Sequence, residues 1–264
     1  MKIRFLKYHP NDAYMQMAID EAIQIAVSEG KASNTLRFYK FDPIAITYGF
    51  SQSTNNFDEL KLKKDNVDIV KRLSGGTSVL HKNDFTYSLI LKEEELPKLV
   101  IDAYKYLSLG LINGLSKLGV DASFREAGSN NRKGVCYIND NPYDIVVGDK
   151  KISGNAQFRK NGVALQHGTI ILDNNTQELC NYLKLTDIEK EESIKAIKNK
   201  VTSVKEVLGN VPDEEVIIES MKCGFEKLFL EKGFEIVVGE LSIYEKDLAK
   251  KLYLEKYKTN EWNN

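Results

Sequence analysis

The first residues that could support chemistry surround a pair of glycines. Gly75 and Gly76 follow a strand-like run, with Arg72 three residues before them. Glycines let the backbone turn sharply and approach a ligand closely, so that amide N–H groups can hold a carbonyl or phosphate oxygen. Arg72 would add a rigid positive charge. Because paired glycines also mark ordinary turns, the motif alone leaves a binding loop and a simple turn both open.

A second group surrounds Lys151, in a stretch that reads as a strand. Strand alternation places every second side chain on one face. The two predicted faces are Lys151, Ser153 and Asn155 on one side and Ile152, Gly154 and Ala156 on the other. A lysine among small residues could hold a carboxyl or thioester oxygen, or assist proton transfer if burial lowered its pKa. A solvated turn lysine is the alternative, since buried lysines are rare.

A third candidate is Cys136, which follows Arg132 and Lys133 in a polar stretch. Nearby cations favour the nucleophilic thiolate over the thiol. Cys180 and Cys223 lie in helical patterns instead, which is typical of small buried hydrophobic residues. Charge alone does not establish a reactive cysteine, so a structural Cys136 remains the alternative.

The histidines give no sign of a metal site. His81 and His167 each follow one of the two candidate loops, and His9 lies in a charged N-terminal segment that predicts a surface position. Neither loop histidine has the cysteine, histidine or carboxylate companions that a metal needs. The pattern therefore predicts no metal and, by default, a hydrogen-bonding role.

Composition argues against several classes of function. The 264 residues include 37 basic and 38 acidic side chains, for a formal charge of -1. With its charges so nearly cancelled, the chain has no net electrostatic potential that favours binding to nucleic acid or to an anionic membrane. We find no signal-like segment and no apolar run near the roughly 20 residues of a membrane span. Three cysteines do not form a disulfide framework, so we expect a cytoplasmic protein with free thiols.

The elements that must position these residues can be predicted from periodicity and turn signals. Asp12 should cap a helix that ends near Gly30, and a long amphipathic helix should end at Gly119. Two early strands are predicted to pair as a hairpin, and three later strands to form an antiparallel meander. The strand ranges are Thr35–Tyr39 and Ala45–Phe50 for the hairpin, Asp68–Arg72 and Phe85–Leu91 around the glycine pair, and Tyr143–Val147, Lys151–Phe158 and Val163–Leu172 for the meander.

The order of elements predicts an α+β fold. Strands occupy the first two thirds of the chain, and after Asp173 the pattern becomes mostly helical. Such segregation is typical of α+β domains. We expect a catalytic domain over 1–210 and a small helical extension over 211–264 that packs on the same domain.

Taken together, four motifs resemble the catalytic domain shared by lipoate-protein ligases, octanoyltransferases and biotin ligases. They occur in that family's order and approximate spacing across nearly the whole chain. The motifs are Leu36-Arg37-Phe38-Tyr39 to Gly49-Phe50-Ser51-Gln52, Arg72-x-Ser74-Gly75-Gly76, Lys151-Ile152-Ser153-Gly154-Asn155-Ala156-Gln157 and Gln166-His167-Gly168-Thr169.

The resemblance implies a mixed, largely antiparallel sheet flanked by helices, with an acyl chain in a tunnel beside the glycine pair and Lys151 near its carbonyl. It also implies a protein acceptor, the lysine of a lipoyl domain or of glycine-cleavage H protein. The predicted substrate-binding residues lie in these motifs and just after the glycine pair: Arg72, Gly75, Gly76, His81, Ser153, Gly154, Ala156, His167 and Gly168.

Three details resemble the cysteine-dependent octanoyltransferase branch. Cys136 is followed by Tyr143-Asp144, and Thr77 and Ser78 replace the third glycine and the alanine of the ligase loop. The strand that begins at Val79 is also more similar to that branch. We therefore predict that Cys136 takes octanoate as a thioester from octanoyl-acyl carrier protein and passes it to the acceptor lysine. Lys151 would assist, and no cofactor would be needed.

Two alternatives remain open. An ATP-dependent lipoate-protein ligase would use Mg-ATP, with Lys151 stabilising an acyl-adenylate, and a non-catalytic paralogue would bind the acyl group without turnover. Two departures from the family pattern concern pocket and partner recognition: Phe41 stands where a tryptophan is usual, and Lys71 replaces the first arginine of a common pair. A basic patch is also predicted to steer acidic carrier domains. Its members are Arg125, Arg132, Lys133, Arg159 and Lys160.

Overall fold

The computed structural model describes residues 2–125 and 143–264. Within these ranges the chain forms two sheets with helices packed around them. The strands are β1 (Lys2–Asn11), β2 (Thr35–Phe41), β3 (Ala45–Tyr48), β4 (Asp68–Lys71), β5 (Val79–His81), β6 (Asp84–Lys92), β7 (Ser123–Phe124), β8 (Ile145–Val147), β9 (Lys150–Lys160), β10 (Val163–Ile171) and β11 (Glu235–Gly239). The α-helices are α1 (Ala13–Ser28), α2 (Glu59–Lys64), α3 (Val100–Lys117), α4 (Asp187–Lys200), α5 (Val204–Leu208), α6 (Glu214–Leu230), α7 (Ile243–Leu252) and α8 (Asn260–Asn263).

The larger sheet has eight strands in the order β11-β1-β2-β6-β10-β9-β8-β7. Strand β1 runs parallel to β11 and β2, and the other neighbours are antiparallel. The predicted mixed, largely antiparallel sheet is therefore confirmed. The meander of β8, β9 and β10 is also present, and its second turn has positive φ at Asn161 (52°) and Gly162 (74°), as a two-residue hairpin turn of type I′ requires.

The smaller sheet corrects one prediction. Strands β2 and β3 do not form a hairpin, because β2 lies in the larger sheet between β1 and β6, whereas β3 lies between β4 and β5. The chain passes from one sheet to the other through a cis Asp42–Pro43 peptide. Each strand has two hydrogen-bonded neighbours in its own sheet, and neither neighbour is the other strand.

Helices cover both faces of the larger sheet. Helices α3 and α6 pack against one face, around residues such as Leu107 and Phe225, and α1 packs with α7 against the other. The predicted N-cap is confirmed, since the Asp12 carboxylate accepts the Met15 N–H at 2.8 Å. In the described ranges, no helix has both the length and the apolar character needed to cross a membrane.

Residues 211–264 pack against the rest of the chain through a helix and through an edge strand. Helix α6 packs along α3, and β11 extends the larger sheet by pairing with β1, with Phe5 opposite Val238. The segment that reads as helical in the sequence thus also contributes an edge strand. Because β1 lies at the other end of the chain, no local turn signal could have indicated this pairing.

Candidate active site

A cleft lies between the two sheets, on the side of the larger sheet that faces α1. Its empty volume is about 760 Å³, counted out to its open mouth. The cleft brings together the predicted catalytic residue Lys151 and most of the residues predicted to bind substrate: Arg72, Gly76, His81, Gly154, Ala156, His167 and Gly168. Gly75 and Ser153 are not part of its lining. Residues that the sequence did not single out, among them Met17, Thr47 and Thr86, complete the wall.

Lys151 lies in the wall of the cleft with a different set of neighbours from the one predicted. A register shift at Ile145/Val146 in the β8–β9 pairing interrupts the alternation. Ser153 therefore lies opposite the core residue Ile170. Gly154 and Ala156 share the cleft with Lys151, so the prediction that put Ser153 on the lysine's face is wrong. The Ser153 hydroxyl is buried and has no hydrogen-bond partner among the described residues.

The Lys151 ammonium is paired inside the wall. Its Nζ lies 2.9 Å from Oδ1 of Asp144, and the two side chains are only 10% and 2% exposed. A Cβ at position 154 would lie 3.0 Å from the lysine Cε, so Gly154 leaves the space that Lys151 occupies. The alternative of a solvated turn lysine is thus wrong. A buried ammonium held by one carboxylate can stabilise negative charge on an acyl oxygen.

The glycine loop joins β4 to β5 and forms the opposite wall. Gly76 has φ +93°, a value that favours glycine. The Arg72 guanidinium donates through Nη2 to the carbonyl oxygens of Gly75 and Thr77, both at 2.8 Å. Arg72 therefore holds the loop itself, besides contributing to the lining of the cleft.

Gly49, at the end of β3, lies directly beneath this loop. A Cβ at that position would be 2.0 Å from the carbonyl oxygen of Gly76. Only glycine permits this approach, so Gly49 is a loop-shaping residue that the sequence motif contained without revealing its role.

His81 is held in one orientation by two hydrogen bonds. Its Nδ1 lies 2.7 Å from Oδ2 of Asp84, and its Nε2 lies 3.0 Å from Oγ1 of Thr47. The carboxylate accepts from Nδ1–H, which leaves Nε2 to accept from the threonine hydroxyl. The Phe41 ring packs on the imidazole with 4.1 Å between ring centres. His81 thus presents its ring to the cleft with both nitrogens engaged.

His167 connects the glycine loop to a carboxylate buried in α1. Its Nε2 lies 2.6 Å from the Ser74 hydroxyl, and its Nδ1 lies 3.9 Å from Oδ2 of Asp20, longer than a hydrogen bond. Because Ser74 Oγ accepts from Arg72 Nε at 3.2 Å, the serine hydrogen points to the imidazole. Burial lowers the pKa of His167, although the nearby Asp20 carboxylate opposes this, and the ring is neutral near pH 7.

Asp20 was missed by the sequence interpretation. Burial by itself raises its pKa, but the Arg37 guanidinium at 2.7 Å and the Ser88 hydroxyl at 2.8 Å help to hold the net pKa below its usual value. The sequence offers only a weak signal for this role, because one carboxylate in an amphipathic helix is normally solvent-exposed.

The predicted nucleophile and part of the basic patch lie outside the described residues. These residues are Cys136, Arg132 and Lys133. Within the described part of the patch, the Arg159 guanidinium is paired with Glu93 at 2.9 Å, and Lys160 is exposed. Electrostatic steering by this patch stays a prediction.

Comparison with known proteins agrees with the arrangement of motifs. Residues 12–226 match the model of the lipoyl protein ligase A/B catalytic domain. A Clostridioides difficile protein named octanoyltransferase LipM is 36% identical over 259 residues, which cover 94% of this chain and 93% of that protein. A Staphylococcus aureus protein of the same name is 35% identical over 98% of this chain and 96% of its own length.

Solved structures show the same fold. A lipoate-protein ligase A bound with ATP superposes with a TM-score of 0.80 at 24% identity, covering 100% of this chain and 98% of its own. A putative lipoate protein ligase from T. acidophilum with bound lipoic acid gives the same TM-score, identity and coverage. The predicted fold is thereby confirmed. With a family model over most of its length and curated relatives above 30% identity over nearly all of it, the chain belongs to the lipoyl protein ligase A/B catalytic domain family.

Proposed function

We propose that this chain is an octanoyltransferase of lipoate biosynthesis, which moves an octanoyl group from octanoyl-acyl carrier protein to a lysine of a lipoyl domain or glycine-cleavage H protein. The curated relatives named octanoyltransferase LipM support this enzyme class. The observation that carries the proposal is the buried Lys151–Asp144 pair, set in a cleft whose other wall is the glycine loop.

The cleft suits an acyl group with a reactive carbonyl at one end. Tyr39, Phe41 and Ile171 supply apolar surface along its wall, and Lys151 supplies the positive charge. In our proposal the acyl chain lies along the apolar surface with its carbonyl oxygen near the ammonium. Attack on a thioester places negative charge on that oxygen, and a fixed cation in a site shielded from water lowers the barrier.

The first chemical step is assigned to Cys136, eight residues before Asp144 in the sequence. Its thiolate attacks the octanoyl carbonyl, a bond forms between the cysteine sulfur and the acyl carbon, and the bond to the carrier's sulfur breaks; the carrier leaves as a thiolate, which takes up a proton from solvent. The exchange replaces one thioester by another, so it is nearly balanced in free energy and needs no nucleotide, metal or cofactor.

The second step releases the enzyme. The neutral amine of the acceptor lysine attacks the same carbonyl, a bond forms between its nitrogen and the acyl carbon, and the bond from that carbon to the Cys136 sulfur breaks. The nitrogen releases one proton to solvent, which leaves the amide and the Cys136 thiolate. An amide is more stable than a thioester, so this step draws the reaction forward. Lys151 stabilises the oxyanion in both steps from the same position.

The test compares donors under single-turnover conditions. Purified protein and an apo lipoyl domain are mixed with octanoyl-acyl carrier protein, or with octanoate or lipoate plus Mg-ATP, and the acceptor's mass is followed. We expect modification with the carrier thioester and none with the free acids. Transfer only from the free acids with ATP would instead identify a lipoate-protein ligase, and binding without any modification would identify a non-catalytic paralogue.

The nucleophile is tested on the enzyme itself. Intact-mass measurement after mixing with donor alone should detect an octanoyl adduct, and Cys136→Ser should abolish both the thioester adduct and transfer. Cys223→Ser is the matched control, because Cys223 lies in α6 outside the cleft lining. Unchanged turnover in Cys136→Ser would exclude the two-step mechanism while leaving the donor specificity intact.

A further inference from the structure

The segment after α7 returns to the small sheet and lies next to the glycine loop. Tyr253–Tyr257 forms a π-helical turn, and α8 follows it. Tyr257 is fully buried, and its hydroxyl donates to Oε2 of Glu21 at 2.8 Å, which anchors the segment to α1. The segment is thus anchored to α1 at Tyr257, and the residues after Tyr257 reach the small sheet.

Strand β4 is the edge strand of the small sheet, and Lys71 is its last residue. The N–H of the next residue, Arg72, donates inward to the carbonyl of Tyr48 on β3 at 3.0 Å. Successive residues of a parallel strand direct their backbone groups to opposite sides. The N–H and C=O of Lys71 therefore point away from β3, toward the open edge.

Two side chains of the 253–264 segment satisfy this edge. The Trp262 indole Nε1–H donates to the Lys71 carbonyl at 2.8 Å, and Oδ1 of Asn263 accepts the Lys71 N–H at 2.9 Å. They occupy the place of a neighbouring strand. The Lys71 ammonium also donates to the carbonyl of Asn264 at 2.7 Å, and the Tyr48 hydroxyl donates to the carbonyl of Asn263.

The contact is directly connected to the proposed chemistry. Lys71 immediately precedes Arg72, whose guanidinium holds the carbonyls of Gly75 and Thr77. A shift of the Lys71 backbone would move the origin of the Arg72 side chain and with it the loop. In this proposal the N–H of Gly76, which lines the cleft, assists Lys151 in holding the acyl oxygen. Backbone donors that stabilise an oxyanion need accurate placement, because small displacements reduce their effect on the transition state.

We infer that Trp262 and Asn263 are positioning residues for octanoyl transfer, which clamp the Lys71 backbone from outside so that Arg72 holds the glycine loop in its reactive geometry. This role rests on the proposed function. Neither side chain contributes to the cleft lining, so they act through Lys71 and Arg72 and not on the acyl group.

The leading test is Trp262→Phe. It removes the indole N–H donor but keeps an aromatic ring near Phe50, whose centre lies 5.9 Å from that of Trp262. With one hydrogen bond lost, we expect kcat to fall about five- to tenfold. The KM for octanoyl-acyl carrier protein should change much less. Amide exchange over 72–77, followed by mass spectrometry, should become faster.

Tyr253→Phe provides the matched control. It removes the hydroxyl that donates to Oδ2 of Asp12 at 3.0 Å, a contact of the same segment that does not involve Lys71. We expect a comparable change in melting temperature without the loss of kcat or the faster exchange over 72–77. Asn263→Ala removes the acceptor of the Lys71 N–H and also the Nδ2 donors to the carbonyls of Tyr257 and Thr259. It should therefore lower the melting temperature more than Trp262→Phe does, with the same loss of kcat and faster exchange over 72–77.

The inference is overturned if Trp262→Phe and Asn263→Ala match Tyr253→Phe in both kcat and loop exchange, since the segment would then only stabilise the fold. Failure of the proposed function would look different. The wild type would not transfer octanoate, but the exchange measurement needs no substrate and would still report whether the clamp orders the loop.

Discussion

Replacing Gly49 by alanine would place a methyl group against the backbone of the glycine loop. The added Cβ would lie 2.0 Å from the carbonyl oxygen of Gly76 and 3.1 Å from the carbonyl carbon of Gly75, whereas ordinary contacts begin at 3.4 Å. The φ of Gly49 is not in the left-handed region, so alanine is compatible with the backbone there. The effect of the substitution therefore comes from this contact alone.

The size of the effect follows from how little the loop can yield. Relief of the clash needs a movement of roughly 1.4 Å, in a packed structure that yields little. Arg72 holds the carbonyls on either side of Gly76, which resists such a movement. Overpacking of this kind costs about 1–3 kcal/mol of stability. A displacement of about 1 Å at a reacting group lowers the rate about 100-fold.

The assay measures initial rates of octanoyl transfer from octanoyl-acyl carrier protein to an apo lipoyl domain, with melting temperature measured on the same samples. Gly49→Ala should lose about 100-fold in kcat. Gly209→Ala is the control for stability, because Gly209 ends α5 with φ +85° and does not line the cleft. Alanine there costs about 1–2 kcal/mol, and transfer should be unaffected.

Gly75→Ala is a second control, because it adds a methyl group to the loop without the steric clash that Gly49→Ala causes. A Cβ at position 75 would meet no atom within 4 Å, so the melting temperature should stay near that of the wild type. If Gly49→Ala transferred octanoate at the wild-type rate, or lost no more activity than Gly209→Ala, then the position of the loop would not govern the reaction.

Two further predictions concern ionisable groups that are buried in the wall of the cleft. Lys151→Met should abolish transfer and lower the free energy of unfolding by about 3–5 kcal/mol, because it leaves the buried Asp144 carboxylate without its ammonium. The double variant Lys151→Met/Asp144→Asn should recover stability but not transfer. Recovery of transfer would contradict the role of Lys151. Burial holds the pKa of His167 below its usual 6.5, so the unfolded chain binds a proton first as pH falls. The free energy of unfolding, measured by urea titration, should be fully retained above pH 6.5 and should decline as the pH falls from 6.5 toward the folded-state pKa. His167→Gln should reduce this dependence of stability on pH. If the dependence is unchanged in that variant, other groups cause it.

Local signals in the sequence predicted the local elements well. Helix α1 begins after the Asp12 cap, and α3 ends before Gly119, where φ is +86°, as its apolar periodicity and terminal glycine indicate. The β9–β10 hairpin forms around Asn161-Gly162. These elements are specified by residues within a few positions of each other, so one sequence is sufficient to predict them.

Pairings between distant segments could not be predicted in the same way. Strand β1 pairs with β11 from the other end of the chain, and the partners of β3 include β5, a three-residue strand too short to show alternation. A hairpin between β2 and β3 was the simplest local solution, but the two are interior strands of different sheets, and the neighbours of each come from other parts of the chain.

The site was predicted in type but not in detail. The motif resemblance identified the family and the enzyme class, and both agree with the comparisons. The neighbours of Lys151 were wrong because a single register shift turns Ser153 to the opposite face. The Asp20–His167 contact joins residues far apart in the chain, which no local pattern specifies. The role of Cys136 stays a prediction.

The proposed chemistry explains why so many of the polar contacts meet at one loop. The backbone amides of Gly75 and Gly76 carry no side chain that could be packed into place, so their positions must be set by their surroundings. Gly49 lets the loop pack closely against the end of β3, the Arg72 guanidinium donates to the Gly75 carbonyl, and His167 hydrogen-bonds to the Ser74 hydroxyl. Each contact comes from a different element, so the loss of one leaves the others in place, and single substitutions should lower the rate without unfolding the loop.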